Sequence, residues 1–357
     1  MCELLPEHRR VLRDYFMASS VEEAIAYLTA HPGEAQIMGG GTKLMTLLQR
    51  GELSATRLVD VSRISAMKRV RVEDGYLVIG GAVTFAQLLT KELIAEQMPV
   101  LAEAAQMLAS SRLRRQASLA GCIVNARSNS EGAVLLIALA AQAEIANLTG
   151  AQWVPVRALF VRPGVSRDSG VEIVTSVRIP LLGARQGAAL ARIKPPESEE
   201  HSSLIAAVAL GLTEDDELDW LSLALGAPAT LPQLWHLNDL TNDHPIASDD
   251  LRQQIVSATL QAGGPASDDE SRDPEAASTT ILAAYDRALE RARAAEAQND
   301  LKTARAKLDE LMRDNAEFRQ LVEKLEEAYD YAVSDADEDL LRRLIDGLDI
   351  EGGGDAT

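Results

Sequence analysis

Three glycines in a row, Gly39-Gly40-Gly41, followed by Thr42, stand between an apolar strand candidate, Ala35 to Met38, and a helix candidate, KLMTLLQRG, that Gly51 ends. A strand that enters a helix through residues without Cβ can adopt positive φ and present successive N–H groups, so an anion can approach the backbone closely. The same run also reads as a bare tight turn. It fits neither the phosphate-loop pattern, because no Gly-Lys-Ser/Thr follows at the right distance, nor the GxGxxG fingerprint with its strand-end acid. Both common nucleotide folds are thereby disfavoured.

The neighbouring segments alternate in the same way. VEEAIAYLTA (21–30) has apolar residues at helical spacing, with Ser19-Ser20 before it and Glu22 and Glu23 in its first turn, which predicts a capped helix. Arg57 to Val61 predicts a strand, and Met67 to Val72, Tyr76 to Gly80 and Val83-Thr84 predict a small meander turning at Asp74-Gly75. Helices are expected over 84–93, 99–110 and 132–141. Ser118 to Asn125 reads as a turn followed by a buried strand, with further strands over 144–148 and 171–179, the last closed by Pro180.

An α/β unit is thus complete near residue 180. Two strands flanking the polar loop 195–203, a third at 220–225, and helices over 248–261 and 276–294 then predict a second, α+β domain from 183 to 294. Beyond Ala294 the pattern becomes a heptad. Leu301, Leu308, Asn315, Val322 and Tyr329 hold one seam position, and Ala304, Leu311, Phe318, Leu325 and Ala332 the other. A coiled coil, or one amphipathic helix packed back on its own domain, accounts for this equally. Residues 295–350 are read as this acidic helical tail and 351–357 as a disordered end.

Charge and cysteine count exclude several classes. A net charge of −19 repels phosphate backbones, so nucleic acid is not expected as a ligand. More than half of that excess lies in residues 295–357, where 18 Asp/Glu face 8 Lys/Arg, giving −10. Two cysteines, Cys2 and Cys122, cannot supply the four thiolates of an iron–sulfur cluster or a structural zinc. The five histidines show no metal-site spacing, and no GxSxG nucleophile elbow occurs. No segment approaches the 18 uncharged residues of a membrane span, and the start lacks a leader pattern, so a cytoplasmic protein is expected.

Five blocks carry a resemblance: MGGGTKLMTLLQRGE, RLVDVSRISAMKRV, GYLVIGGAVTFAQLL, PVLAEAAQMLASSRLRRQASLAGCIVNARSNSEG and VEIVTSVRIP. In order and spacing they resemble the FAD-binding domain of molybdenum hydroxylase flavoproteins, the family of the carbon monoxide dehydrogenase medium subunit and the central domain of xanthine dehydrogenases. The likeness covers roughly residues 10–182 strongly and 183–294 more faintly. It implies an α+β protein: a two-subdomain FAD domain of the PCMH type over 1–182, then a C-terminal domain like that of carbon monoxide dehydrogenase flavoproteins. The function it implies is electron transfer, from [2Fe–2S] clusters on a small partner subunit, through FAD, to NAD, a quinone or oxygen. Substrate would be oxidised at a molybdenum cofactor on a large partner subunit, in a hetero-oligomer. A degenerate scaffold subunit that binds FAD weakly or not at all is the alternative.

The resemblance also assigns residues. The first diphosphate loop corresponds to Ile37, Met38, Gly39, Gly40, Gly41, Thr42, Lys43 and Leu44. The second, usually Thr-Ile-Gly-Gly-Asn, stands here as Ser118-Leu119-Ala120-Gly121-Cys122. Cys for Asn is the consequential departure, since an amide becomes a weak thiol donor. Apart from the family, Cys122 reads as a small buried residue before a strand. Asn125 fits the family pattern. Glu131 stands where relatives have an Asp facing the ribityl portion, and otherwise reads as a solvated helix cap. Leu108 takes the position of a packing residue against the cofactor. Lys194 aligns with a lysine near the flavin ring, where a cation stabilises the reduced anion, and otherwise reads as a loop residue. No catalytic or metal-ligating residue is expected on this chain.

Overall fold

A computed structural model describes residues 12–108, 110–167, 170–193, 204–227, 230–237, 246, 248–261 and 274–314. The chain divides into two compact units, Met1–Ala295 and Glu296–Thr357. The first begins with β1 (Asp14–Met17), α1 (Val21–Ala30), β2 (Ala35–Met38), α2 (Thr42–Arg50) and β3 (Arg57–Asp60). These strands form a fully parallel sheet in the order β1-β3-β2. Parallel neighbours cannot be joined by a tight turn, so the helices are the crossovers the topology needs. Ser20 caps α1 by accepting from Glu23 N, and Gly51 ends α2 in the left-handed region, both as the sequence predicts.

The next layer is built from β4 (Val70–Glu73), β5 (Tyr76–Gly80), the short helices α3 (Phe85–Leu88), α4 (Glu92–Gln97), α5 (Pro99–Met107), α6 (Ser111–Gln116) and α7 (Leu119–Val124), and then α8 (Glu131–Ala138). It ends with β6 (Gln142–Asn147), β7 (Gly150–Pro155), β8 (Phe160–Arg162), β9 (Val165–Ser166) and β10 (Ile173–Pro180). Five strands pair antiparallel in the order β4-β5-β10-β6-β7, while β8 and β9 form a separate hairpin. Asp74 and Gly75 both take positive φ, as a two-residue hairpin turn requires.

A third sheet runs β11 (Gln186–Ile193), β12 (Leu204–Leu212), β13 (Leu218–Gly226), β14 (Gln233–His236), all antiparallel, followed by α9 (Asp249–Gln261) and α10 (Pro274–Asp314). All eight residues of α8 are buried, because it packs with Ile79 and Val177 of the five-stranded sheet and with Leu190, Ala207 and Ala224 of the four-stranded one. A helix apolar on every side belongs at such a centre. The far face of the four-stranded sheet packs on Ile255, Ile281 and Tyr285. Burial on both faces explains why β12 reads as an unbroken apolar run, LIAAVALGL. Arg287 and Arg291 of α10 donate to Leu190 O and Ala188 O of edge strand β11, at 2.9 and 2.8 Å, and both pair with Glu103 of α5. A helix and its arginines therefore cover that edge.

Several expectations need correction. Residues 119–124 are a helix, not a strand, because Ser118 caps them and its hydroxyl accepts from Gly121 N at 3.3 Å. Residues 65–68 form a 3-10 turn ahead of β4, and Thr84 is not a strand residue but the capping-box N-cap of α3. The helix expected over 84–93 is split into α3 and α4, and the one over 99–110 stops at Met107. Strands β1, β7, β8, β9 and β14 carry no alternation long enough to have been read. Helix α10 runs through residue 294 without a break and to Asp314. The heptad positions from Asn315 onward, the loop 195–203 and the end 351–357 lie outside the described residues. Among the described residues no helix is long and apolar enough to cross a membrane.

Candidate functional site

The turn after β2 is pressed against the segment entering α7. A methyl group on Gly40 would lie 1.5 Å from Gln116 O, and one on Gly39 would lie 2.8 Å from Ser118 Oγ. Only glycine permits the approach at position 40, where the facing atom is backbone. Gly41 adopts φ +69 and is the N-cap of α2, whose first N–H groups receive no side-chain acceptor from that cap. Donors and the positive end of the helix are therefore presented where the turn ends.

The partner segment is fixed from behind. Phe85 N donates to Ala117 O at 3.1 Å, Leu119 N to Val83 O at 2.9 Å, Ala120 N to Gly81 O at 3.0 Å, and Gly81 N to Thr175 O at 2.7 Å. Thr84 and Ser118 form an isolated bridge. Strand ends from the five-stranded sheet thus hold the start of α7 in place, and the turn from the parallel sheet lies on it.

Two clefts border this contact. One, of about 140 Å³, is lined by Gln36, Ile37, Gly39, Ser118, Ala120 and Gly121, and by Ser166, Arg167, Glu172, Ile173 and Val174 from the end of β9 to the start of β10. The other, of about 580 Å³, is lined by Met38, Gly39, Gly40, Asp60, Ser62, Lys68, Thr84, Gln87, Arg115 and Gln116, with Ser118. Gly39, Ala82 and Ser118 alone belong to both.

Residues 37–44 and 118–121, distant in sequence, are brought together. Within the first group, Thr42 opens α2, Leu44 packs with Met38 against Leu53, Ala55 and Leu58, and burial lowers the Lys43 ammonium pKa, with the charge of Arg127 adding to the shift. Cys122 lies inside α7, its Sγ 2.8 Å from Ser130 Oγ. Burial pushes its thiol up to about 11, so the sulfur is protonated at neutral pH. Asn125 ends α7, its N–H donating to Gly121 O at 3.0 Å.

Glu131 corrects the solvated-cap reading. It is only 9% exposed and opens α8, and its Oε1 accepts from Arg192 Nη1 at 2.5 Å. Arg192 also donates to Met107 O at 3.1 Å, and Arg114 donates to Leu108 O at 2.7 Å. Two arginines thereby fix the chain where it leaves α5, and Leu108 packs half-buried against the central core. Lys194 lies outside the described residues. Gly81 and Arg167 had no assigned part in the sequence reading, although the Gly80-Gly81 pair after β5 was a visible signal. Arg167, which pairs with Glu172 at 3.4 Å, had none.

Residues 9–182 match the family described as FAD binding domain in molybdopterin dehydrogenase. The 6-hydroxypseudooxynicotine dehydrogenase complex subunit alpha of Paenarthrobacter nicotinovorans is 28% identical over 242 residues, 67% of this chain and 80% of that protein. The xanthine dehydrogenase FAD-binding subunit of Escherichia coli O157:H7 is 28% identical over 167 residues, 46% of this chain and 57% of its own length. A crystal structure of the cyanide-inactivated Cu,Mo-CO dehydrogenase contains a chain that superposes with a TM-score of 0.69 at 23% identity, over 79% of this chain and 98% of that one. At that identity the superposition establishes the fold. Over residues 9–182 the chain belongs to the FAD-binding domain family of molybdopterin dehydrogenases.

Proposed function

We propose that this chain is the FAD-carrying electron-transfer subunit of a molybdenum hydroxylase complex. The observation that carries the proposal is the close approach of Gly40 to the Gln116 backbone and of Gly39 to the Ser118 side chain, beside a helix start that its N-cap leaves without a side-chain acceptor. That arrangement fits a dinucleotide diphosphate in its donor set, since the backbone N–H groups at the start of α2, the Thr42 hydroxyl and the Ser118 hydroxyl all suit phosphate oxygens, while the N–H groups of residues 119–121 are spent on Val83, Gly81 and Ser118 and let that segment offer close approach. Gly40, Gly41, Thr42, Ala120 and Gly121 would hold the diphosphate. Leu108 and Asn125 would lie toward the flavin portion, and Lys194 beside its ring. Bound FAD supplies the exchange between one-electron and two-electron transfer. The chain's own part is to orient the cofactor and shape its electrostatics, so no general acid or base is required.

Two cysteines cannot ligate a [2Fe–2S] cluster, so such clusters belong on a small partner subunit, and the molybdenum cofactor on a large one. The relatives' names support a hetero-oligomer of this kind. The final acceptor, whether NAD, a quinone or oxygen, is part of the same proposal. An absorption spectrum of the purified full chain tests it: oxidised-flavin bands that stay with the protein through gel filtration are expected. A colourless chain that remains so after incubation with FAD would sink the reading in favour of a scaffold subunit.

A further inference from the structure

Three of the sheet edges in the first unit are finished differently. Strand β11 is covered by the arginines of α10, and β4 carries the Arg71–Glu73 ion pair at 2.7 Å, charges that discourage pairing with another chain. Strand β7, Gly-Ala-Gln-Trp-Val-Pro, closes the five-stranded sheet without one charged residue, and Gly150, Ala151 and Gln152 are exposed.

The backbone of β7 is available along that edge. Val156 N donates to Ala141 O at 2.9 Å, and Gln142 stands opposite Pro155. The alternation of an antiparallel ladder then turns Gly150, Gln152 and Val154 toward β6, and Ala151, Trp153 and Pro155 outward. Among the described residues, the N–H and C=O groups of Ala151 and Trp153 have no hydrogen-bond partner. The Trp153 side chain is already placed. Its ring lies 4.5 Å from Cζ of Arg178, which stacks also on Tyr76 at 4.7 Å and donates through Nε to Gln142 Oε1 at 2.7 Å. A ring held in this way loses little freedom on association. At the tip of the same hairpin Leu148 is 67% exposed, the highest value among the exposed large hydrophobic residues described.

Such a strand is complementary to itself. A two-fold axis through Gln152 sets Ala151 of each copy against Trp153 of the other, which forms four N–H···O=C bonds and lays each indole beside a methyl. Gln152 then faces Gln152, and Leu148 at each tip falls opposite Val156, next to Pro155. In a chain of net charge −19, a meeting segment without acids avoids like-charge repulsion.

We propose that β7 pairs antiparallel with β7 of a second copy of this chain, joining the two five-stranded sheets into one. The inference does not rest on the flavin reading, since none of the pairing residues belongs to the cofactor site.

Sedimentation equilibrium of the full chain tests it by exchanging charge on the axis, where position 152 meets itself. The parent is expected to dimerise. Gln152→Lys and Gln152→Glu should each weaken association about tenfold, because like charges then stand directly opposite, and an equimolar mixture of the two should recover it. Gln152 is exposed, so the circular dichroism spectra of both variants should match the parent. A parent that stays monomeric, association unaltered in both variants, or a mixture no stronger than either variant alone would each overturn the proposal. Dimers formed through the tail are recognised by their indifference to position 152.

Discussion

At Gly40 a single absent carbon determines whether two parts of the chain can meet. Gly40→Ala places a methyl 1.5 Å from a carbonyl oxygen that belongs to backbone and cannot swing aside. The turn must then retreat, at a cost of about 1–3 kcal/mol in stability. Flavin-to-protein ratio by absorbance should fall severalfold, with a lower denaturant midpoint. Cys122 makes a different kind of prediction. Its thiol is pushed from 9.0 up to about 11, so above pH 9 the unfolded chain releases a proton that the folded chain keeps. This contribution to stability is intact below pH 9 and is lost as pH rises toward 11. Urea midpoints measured from pH 8 to 10.5 should fall less steeply in Cys122→Ala than in the parent, and at pH 8 the native thiol should react with a thiol reagent far more slowly than the unfolded one.

Among the elements, β11, α5 and α8 depend on shared arginines. Arg192→Ala leaves Glu131 buried without its cation, which should cost about 3 kcal/mol, and Glu131→Gln in the same chain should recover part of that loss. Additive losses in the chemical-denaturation cycle would show that the pair is not coupled. The sequence revealed much at this scale. The capped α1, the Gly-ended α2, the turn at Asp74-Gly75 and the apolar α8 each carry their own local chemistry, and each was readable. Helix α7 was not, because LAGCIV is short, apolar and β-branched toward its end, and only the Ser118 cap and the hydrogen bonds to Gly81 and Val83 decide its form. Those bonds come from residues far along the chain. The same holds for the site: the glycine turns were visible, whereas Arg192 on Glu131 and the approach of Gly40 to Gln116 exist only once separate segments have packed.

For the whole molecule, charge and division into units go together. Removing residues 296–357 takes away the acidic excess that follows Ala295 and leaves a first unit with its own sheets and cores. Truncation after Ala295 should leave the flavin content and the melting temperature of that unit within a few degrees of the parent. Mass by light scattering then tests the heptad: a smaller assembly after truncation supports pairing through the tail, and an unchanged one supports a helix packed on its own chain.

The glycine turn at 39–40 leaves the ribosome well before residue 116 has been made, and each half of the cradle rests on a different sheet. A nascent chain therefore has no place for the nucleotide until both halves have docked. Acquisition of the yellow chromophore then marks the completion of tertiary assembly, and fragments ending before α7 should emerge colourless however well their first sheet is formed.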